Sequence, residues 1–124
     1  MYEVVVIGGG PAGLAATMYC IRKGMDVLLV TTTLGGKSTL GLTLPDMSEY
    51  HIIKAREQVR VFQARIEYLN YTWRKGKVEH VVENEEGFQL TVSGENATPI
   101  QTDQLIVATG TTPSPLGVPG EREF

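Results

Sequence analysis

Residues Tyr2 to Gly24 read YEVVVIGGGPAGLAATMYCIRKG, and the fold follows from them. Tyr2 to Ile7 is a short, almost continuous apolar run rich in β-branched side chains, the composition of a strand covered on both faces in a parallel sheet. Gly8, Gly9 and Gly10 end it. Pro11 suits the first turn of a helix, because the N–H it lacks has no helical acceptor there, and Ala12 to Arg22 carries the small and apolar residues of a packed helix. The glycines therefore stand between a strand and a helix. In that context Gly8-x-Gly10-x-x-Gly13 is a dinucleotide-binding fingerprint rather than a chance spacing among 14 glycines. Gly8 permits the tight turn, Gly10 lets the backbone approach a pyrophosphate, and Gly13 lets the helix lie close to the strand. Free N–H groups and the positive end of the helix dipole then face the phosphates.

Working outward, Lys23 and Gly24 supply a basic last turn and a glycine stop, and Asp26 to Val30 (DVLLV) is a second buried strand. This completes a βαβ unit. A fold of this kind carries an Asp or Glu at the end of the second strand, about 20 residues past the fingerprint, to bind the ribose hydroxyls. Thr31 stands there instead, followed by Thr32 and Thr33. A threonine hydroxyl offers one neutral hydrogen bond in place of a charged bidentate contact. Leu34-Gly35-Gly36-Lys37-Ser38 is a second glycine-rich loop at the C-terminal end of a strand, where ligands of open α/β sheets collect. Lys37 either reaches a phosphate or a negatively charged ring, or is a solvated lysine in a turn.

Thr39 to Pro45 has no clear period and reads as loop. Asp46 is a candidate N-cap for a long helix, Met47 to Arg65, with Ile52, Ala55, Val59 and Phe62 along one face. Its basic residues are interrupted by glutamates and read as a solvated face. Ile66 to Tyr71 alternates as a third strand. From Lys77 the pattern changes to a three-stranded meander, Val78 to Glu83, Phe88 to Ser93 and roughly Thr98 to Thr102. Gln104 to Ala108 (QLIVA) is a further buried strand running into Thr109 and Gly110, and Leu116 to Phe124 is a linker-like tail.

The bulk properties agree with one domain spanning residues 1–124. A hydrophobic content of 42% is ordinary for a globular chain, and a net charge of -3 with a pI near 5.3 argues against nucleic acid or an acidic membrane surface as partner. No stretch has the length of a membrane span or the build of a signal peptide, which points to the cytoplasm. The asparagine-linked glycosylation patterns at Asn70 and Asn96 carry no meaning in that setting. Cys20 is the single cysteine, so the chain has no internal disulfide and no cysteine-rich metal site, and its place on the first helix suits a small core side chain. His51 and His80 lack neighbouring acids or cysteines and read as surface residues, so no metal site is expected.

With these parts in view, the chain resembles the FAD-binding portion of the thioredoxin reductase-like flavoproteins, within the pyridine nucleotide-disulphide oxidoreductase superfamily. VVVIGGGPAGLAA (Val4 to Ala16) is similar to the first FAD motif, LGGK (Leu34 to Lys37) to the loop under the flavin, and VATGTTPSPLGVPGE (Val107 to Glu121) to the second glycine motif leading out of the domain. The resemblance implies an α/β fold, a Rossmann-like FAD-binding parallel sheet with a three-stranded β-meander, incomplete relative to the family. It implies FAD as cofactor, with Gly8, Gly9, Gly10, Pro11, Ala12 and Gly13 at the pyrophosphate and Thr31 at the adenosine ribose. Gly35, Gly36 and Lys37 would lie near the ribityl and flavin, where the family often has glutamine in place of Lys37. Val78 would bring its backbone to the adenine, and Thr109 and Gly110 would pass beside the nucleotide. No catalytic residue is assigned.

The family's NAD(P)H domain, redox cysteine pair and returning C-terminal FAD segment have no counterpart in the sequence. The resemblance therefore implies a flavin-binding module that holds FAD weakly or not at all and does not turn over alone, and that self-associates or pairs with a partner supplying the missing domain. The alternative is a non-catalytic ADP- or NAD-binding regulatory or assembly subunit.

Overall fold

A computed structural model describes residues 1–39, 57, 60–62, 64, 65, 73–93, 98–112, 114 and 116–118. They form a six-stranded sheet with a helix on one face and a curled hairpin on the other. The elements run β1 (Tyr2–Ile7), α1 (Pro11–Arg22), β2 (Val27–Thr31), a 3-10 turn (Gly36–Thr39), β3 (Trp73–Lys75), β4 (Val78–Asn84), β5 (Gly87–Val92) and β6 (Ile100–Val107). The strand order is β3-β2-β1-β6-β5-β4. β3, β2, β1 and β6 are mutually parallel, while β6, β5 and β4 are antiparallel.

β1 is the centre of the sheet, and its alternation sorts the core into two layers. Val4 and Val6, with Val27 and Leu29 of β2, face α1 and pack on Leu14, Met18, Cys20 and Ile21. Val5 and Ile7, with Leu28 and Val30, face the other way and pack on Leu90 and Val92 of β5 and Ile100 of β6. This is why the first strand is a continuous apolar run: both its faces are covered. α1 follows the same logic, burying Gly13, Leu14, Thr17, Met18, Cys20 and Ile21 at spacings of three and four. The Thr17 hydroxyl donates to Gly13 O at 2.8 Å, so it is buried without a lost hydrogen bond. The helix stops as its sequence requires. Gly24 takes φ 74, its N–H bonds Ile21 O at 2.9 Å, and Met25 N–H bonds Cys20 O at 3.1 Å. These two bonds form a Schellman cap, with Met25 packed back on the helix-side core.

Three readings of the sequence change. The third meander strand and the strand Gln104 to Ala108 are one element, β6. Its first residues, Ile100–Thr102, pair with β5, and the same strand runs on beside β1 as far as Val107. The second half of β6 is not buried either, since Gln104 and Val107 are exposed and Leu105 and Ile106 only half-buried. A short strand the sequence did not suggest, β3, pairs with β2 through Leu29–Trp73, Val30–Arg74 and Thr31–Lys75. The expected strand Ile66 to Tyr71 and most of the expected helix Met47 to Arg65 lie outside the described residues. Within the latter span Glu57, Arg60, Val61, Phe62, Ala64 and Arg65 have helical backbone, and Phe62 packs on the helix-side core. Among the described residues, no helix is long and apolar enough to cross a membrane.

Candidate functional site

The sheet runs outward from β1 in both directions, to β2 on one side and to β6 on the other. The chain loops leave a crevice at such a reversal, at the carboxyl ends of the strands. The segments that follow β1, β2 and β6 meet there. Gly8 N–H bonds Val30 O at 2.9 Å and Ala108 N–H bonds Ile7 O at 2.8 Å, which carries the sheet ladder to its last rung on both sides of the glycine turn. Gly35 N–H then bonds Gly9 O at 2.7 Å, tying the loop after β2 to the turn after β1.

The three glycines of the fingerprint stand in different surroundings. Gly8 has φ 108, a conformation L side chains rarely adopt, and a Cβ there would strike the Ala108 carbonyl. A Cβ on Gly13 would strike the Gly8 carbonyl and lie 3.5 Å from Ala108 Cβ, so its absence sets how closely α1 approaches the strands. Gly10 is unlike both. Its φ of -73 and ψ of 179 suit any residue, and a Cβ there would meet nothing within 4 Å. Nothing among the described residues requires glycine at position 10.

Gly10 is also the N-cap of α1, with no side-chain cap and no acidic residue in the first turn. Leu14 N–H, bonded to Gly10 O at 2.9 Å, is the first in the helical ladder. Ala12 and Gly13 therefore direct N–H groups with no helical acceptor toward the crevice, and Pro11 has none to direct. The open space in front of Gly10 and the positive end of a 12-residue helix coincide. That combination accepts a phosphate group.

Thr31 does a different job from the one its position suggests. It is only 7% exposed, its hydroxyl oxygen accepts Gly9 N–H at 2.9 Å, and its proton goes to Thr33 O at 2.9 Å. The side chain thus braces the glycine turn from within, and its hydroxyl is not offered to a ribose. Thr31 O accepts Gly76 N–H at 3.0 Å, which brings the start of β4 to the end of β2. Val78, half-buried against the hairpin-side core, lies two residues beyond that bond.

Lys37 extends from the loop after β2 and donates to Thr111 Oγ1 at 2.6 Å, in the loop after β6. Gly36, just before it, lies against the N-cap, a Cβ there being 3.0 Å from Gly10 Cα. Thr109, Gly110, Thr111 and Thr112 are all exposed. The structure so gathers Gly8–Gly10, Pro11–Gly13, Gly35–Lys37 and Thr109–Gly110 at the carboxyl ends of β1, β2 and β6. Thr111 was not singled out in the sequence, since its partner lies 74 residues away and a threonine among threonines carries no signal.

Elsewhere, Cys20 is buried, and burial raises its thiol pKa above the ordinary value of 9.0. His80 is exposed on β4, and His51 lies outside the described residues. Among the described residues no group of His, Cys, Asp and Glu could hold a metal ion.

The sequence pattern of the pyridine nucleotide-disulphide oxidoreductase family matches residues 2–124. The chain is 29% identical over 125 residues to the thioredoxin reductase of Ureaplasma parvum, covering 100% of this chain and 40% of that protein. It is 25% identical over 123 residues to the NADH dehydrogenase of Ferdinandcohnia aciditolerans, covering 99% of this chain and 23% of that one. The crystal structure of Lactococcus lactis thioredoxin reductase superposes with a TM-score of 0.81 at 29% identity, over 99% of this chain and 40% of the other. The chain therefore spans two-fifths or less of the length of these relatives.

Proposed function

The chain belongs to the pyridine nucleotide-disulphide oxidoreductase family, and from that premise we propose that it is the cofactor-holding part of an FAD-dependent oxidoreductase of the thioredoxin reductase kind. Gly10 and the N–H groups of Ala12 and Gly13, at the N-terminus of α1, would hold the pyrophosphate. Gly35, Gly36 and Lys37 would line the ribityl and phosphate side, Thr109 and Gly110 would flank the nucleotide, and the Val78 backbone would face the adenine. When bound, the flavin would supply the redox chemistry, electron transfer from a reduced nicotinamide to a disulfide or another acceptor. None of the chain's own residues is assigned to that step. Their work is to hold the cofactor and to orient it across the ends of β1 and β6. Turnover belongs to a protein that also contributes the nicotinamide site and the acceptor chemistry.

The observation that carries this reading is Gly10. Its backbone does not need glycine, no described neighbour excludes a side chain, and the space it leaves is at the positive end of a helix. One further observation favours a second reading, a non-catalytic subunit that binds an ADP-containing ligand. The phosphate end of the crevice is backed by α1, whereas Thr109–Thr112 are exposed, so these residues alone enclose little of a flavin ring. Titration of the purified chain with FAD and with ADP separates the readings. Tighter binding of FAD, with a perturbed flavin absorption band and loss of both ligands in Gly10→Val, supports the flavoprotein reading. Equal affinity for the two with an unperturbed flavin band supports the second, and no binding of either overturns both.

A further inference from the structure

We infer that Lys37 is the phosphate-recognising side chain of this crevice, and that Thr111 holds its ammonium across the mouth until a diphosphate displaces the hydroxyl. The inference rests on the dinucleotide reading above and adds to it a residue that sets affinity and a contact that opposes it.

Position is the first ground. The loops carrying Lys37 and Thr111 follow β2 and β6, which flank β1, so their 2.6 Å hydrogen bond crosses in front of the turn Gly8–Gly10. Gly36 is packed on the Gly10 N-cap, and the lysine beside it starts within a side chain's length of the α1 N-terminus.

Charge is the second ground. The described residues of the three loops, 8–10, 32–39 and 108–112, contain no Asp or Glu, and α1 has no acid in its first turn. The ammonium is thus held by a neutral hydroxyl, and none of the described residues of these loops offers it a carboxylate. A phosphate oxygen is a stronger partner than the hydroxyl, because it adds the attraction of opposite charges to a hydrogen bond in which only the lysine is ionised. The exchange from Thr111 to a diphosphate is downhill, and it needs no backbone movement, only rotation of a flexible four-carbon stem. Thr31 strengthens the case, since its hydroxyl is taken up inside the turn and no carboxylate stands at the end of β2 for the ribose. Recognition therefore falls on the phosphate end of the ligand.

The Thr111 contact makes the inference testable in two directions. Binding of ADP is measured by calorimetry at low and raised salt for the parent chain and for Lys37→Gln, Thr111→Val and Lys23→Gln. Lys23 caps the opposite end of α1, over the Tyr19 ring, and serves as the control for a lost charge far from the crevice. Lys37→Gln is expected to bind ADP about tenfold more weakly, with a flatter salt dependence, and Lys23→Gln as the parent does. Thr111→Val, which frees the lysine, is expected to bind roughly two- to threefold more tightly. Parent-like binding by Lys37→Gln, an equal loss in Lys23→Gln, or weaker binding by Thr111→Val would each overturn the inference while leaving the dinucleotide reading intact. A parent chain that does not bind ADP would overturn the dinucleotide reading and Lys37's role with it.

Discussion

Gly13→Ala should loosen the fold, and Gly10→Ala should not, although the two glycines belong to the same motif and stand three residues apart. At position 13 the new methyl would strike the Gly8 carbonyl oxygen and lie 2.9 Å from its carbon, with Ala108 Cβ at 3.5 Å beyond. The obstacle is backbone in the sheet's central turn, which cannot rotate away. The helix must instead lift by roughly 1.5 Å before the methyl clears that oxygen and reaches ordinary contact distance. That movement draws Leu14 out of the layer it shares with Val4, Val6 and Leu29. Overpacking of this kind costs about 1–3 kcal/mol, offset by up to about 1 kcal/mol from alanine's better helix propensity and its smaller loss of unfolded-chain entropy. The net loss is about 1–2 kcal/mol, a fall in Tm of about 4–10 °C for a chain of this length. At position 10 the methyl enters open space at ordinary dihedrals, so stability stays within about 0.5 kcal/mol. On the proposed reading the same substitution takes space a pyrophosphate would occupy, so ADP binding should weaken. Thermal unfolding by circular dichroism, paired with ADP titration, reads both. A Gly13→Ala chain that melts with the parent, or a Gly10→Ala chain that loses as much, would refute the division of roles between the glycines.

Thr31→Val should cost about 1–3 kcal/mol in urea denaturation, because it strands the buried Gly9 N–H, while Thr31→Ser keeps the acceptor and most of the stability. Thr31→Glu, which the strand-end position alone would suggest as a gain in ribose binding, should destabilise the turn and give no tighter ADP binding in calorimetry. Cys20 should stay unreactive toward a thiol-specific reagent until urea unfolds the chain, and urea titrations across pH should find its contribution steady below 9.0. Above that value the unfolded chain ionises its thiol while the folded chain resists, so stability should fall as pH rises. Val107 is 66% exposed, on a stretch of β6 that pairs with β1 alone among the described residues. Val107→Lys should reduce self-association in sedimentation velocity, as a charge on a free strand edge does.

The β1-α1-β2 unit was legible because each of its boundaries is written in local chemistry: a run of apolar residues, glycine, Pro11, and Gly24 at the Schellman cap. The rest depended on partners far along the chain. β6 read as two strands because Thr102, Asp103 and Gln104 interrupt its apolar pattern. In the structure Thr102 is fully buried with its hydroxyl donated to Gln104 O at 2.9 Å, a polar residue satisfied locally where the strand passes from one set of neighbours to another. β3 was missed because Trp73-Arg74-Lys75 has no strand signature of its own, and its extended form comes from pairing with β2. The continuous burial of Val4–Ile7 showed that two layers cover β1, but not that the second is the hairpin, whose Leu90 and Val92 lie more than 80 residues away in sequence.

The same distinction runs through the site. A motif can persist because the chain's own backbone demands it or because something else occupies the space, and spacing alone does not separate the two. Gly8 and Gly13 are held by contacts with Ala108 and with each other, so any chain with this turn between strand and helix would need them, whether or not it bound a nucleotide. Thr31 extends that internal set, since its hydroxyl is part of what keeps the turn in shape. Gly10 is required by none of these contacts, and Lys37 carries a charge for which the described loops provide no carboxylate. What the described contacts leave unexplained is thus a glycine with open space beside it at a helix N-terminus and a cation on the loop next to it. A diphosphate accounts for both at once, and it is the feature shared by FAD and the simpler ADP-containing ligands. On the proposed reading the phosphates are therefore the part of the ligand that Gly10 and Lys37 would share, and the exposed residues after β6 are where FAD and ADP would be told apart.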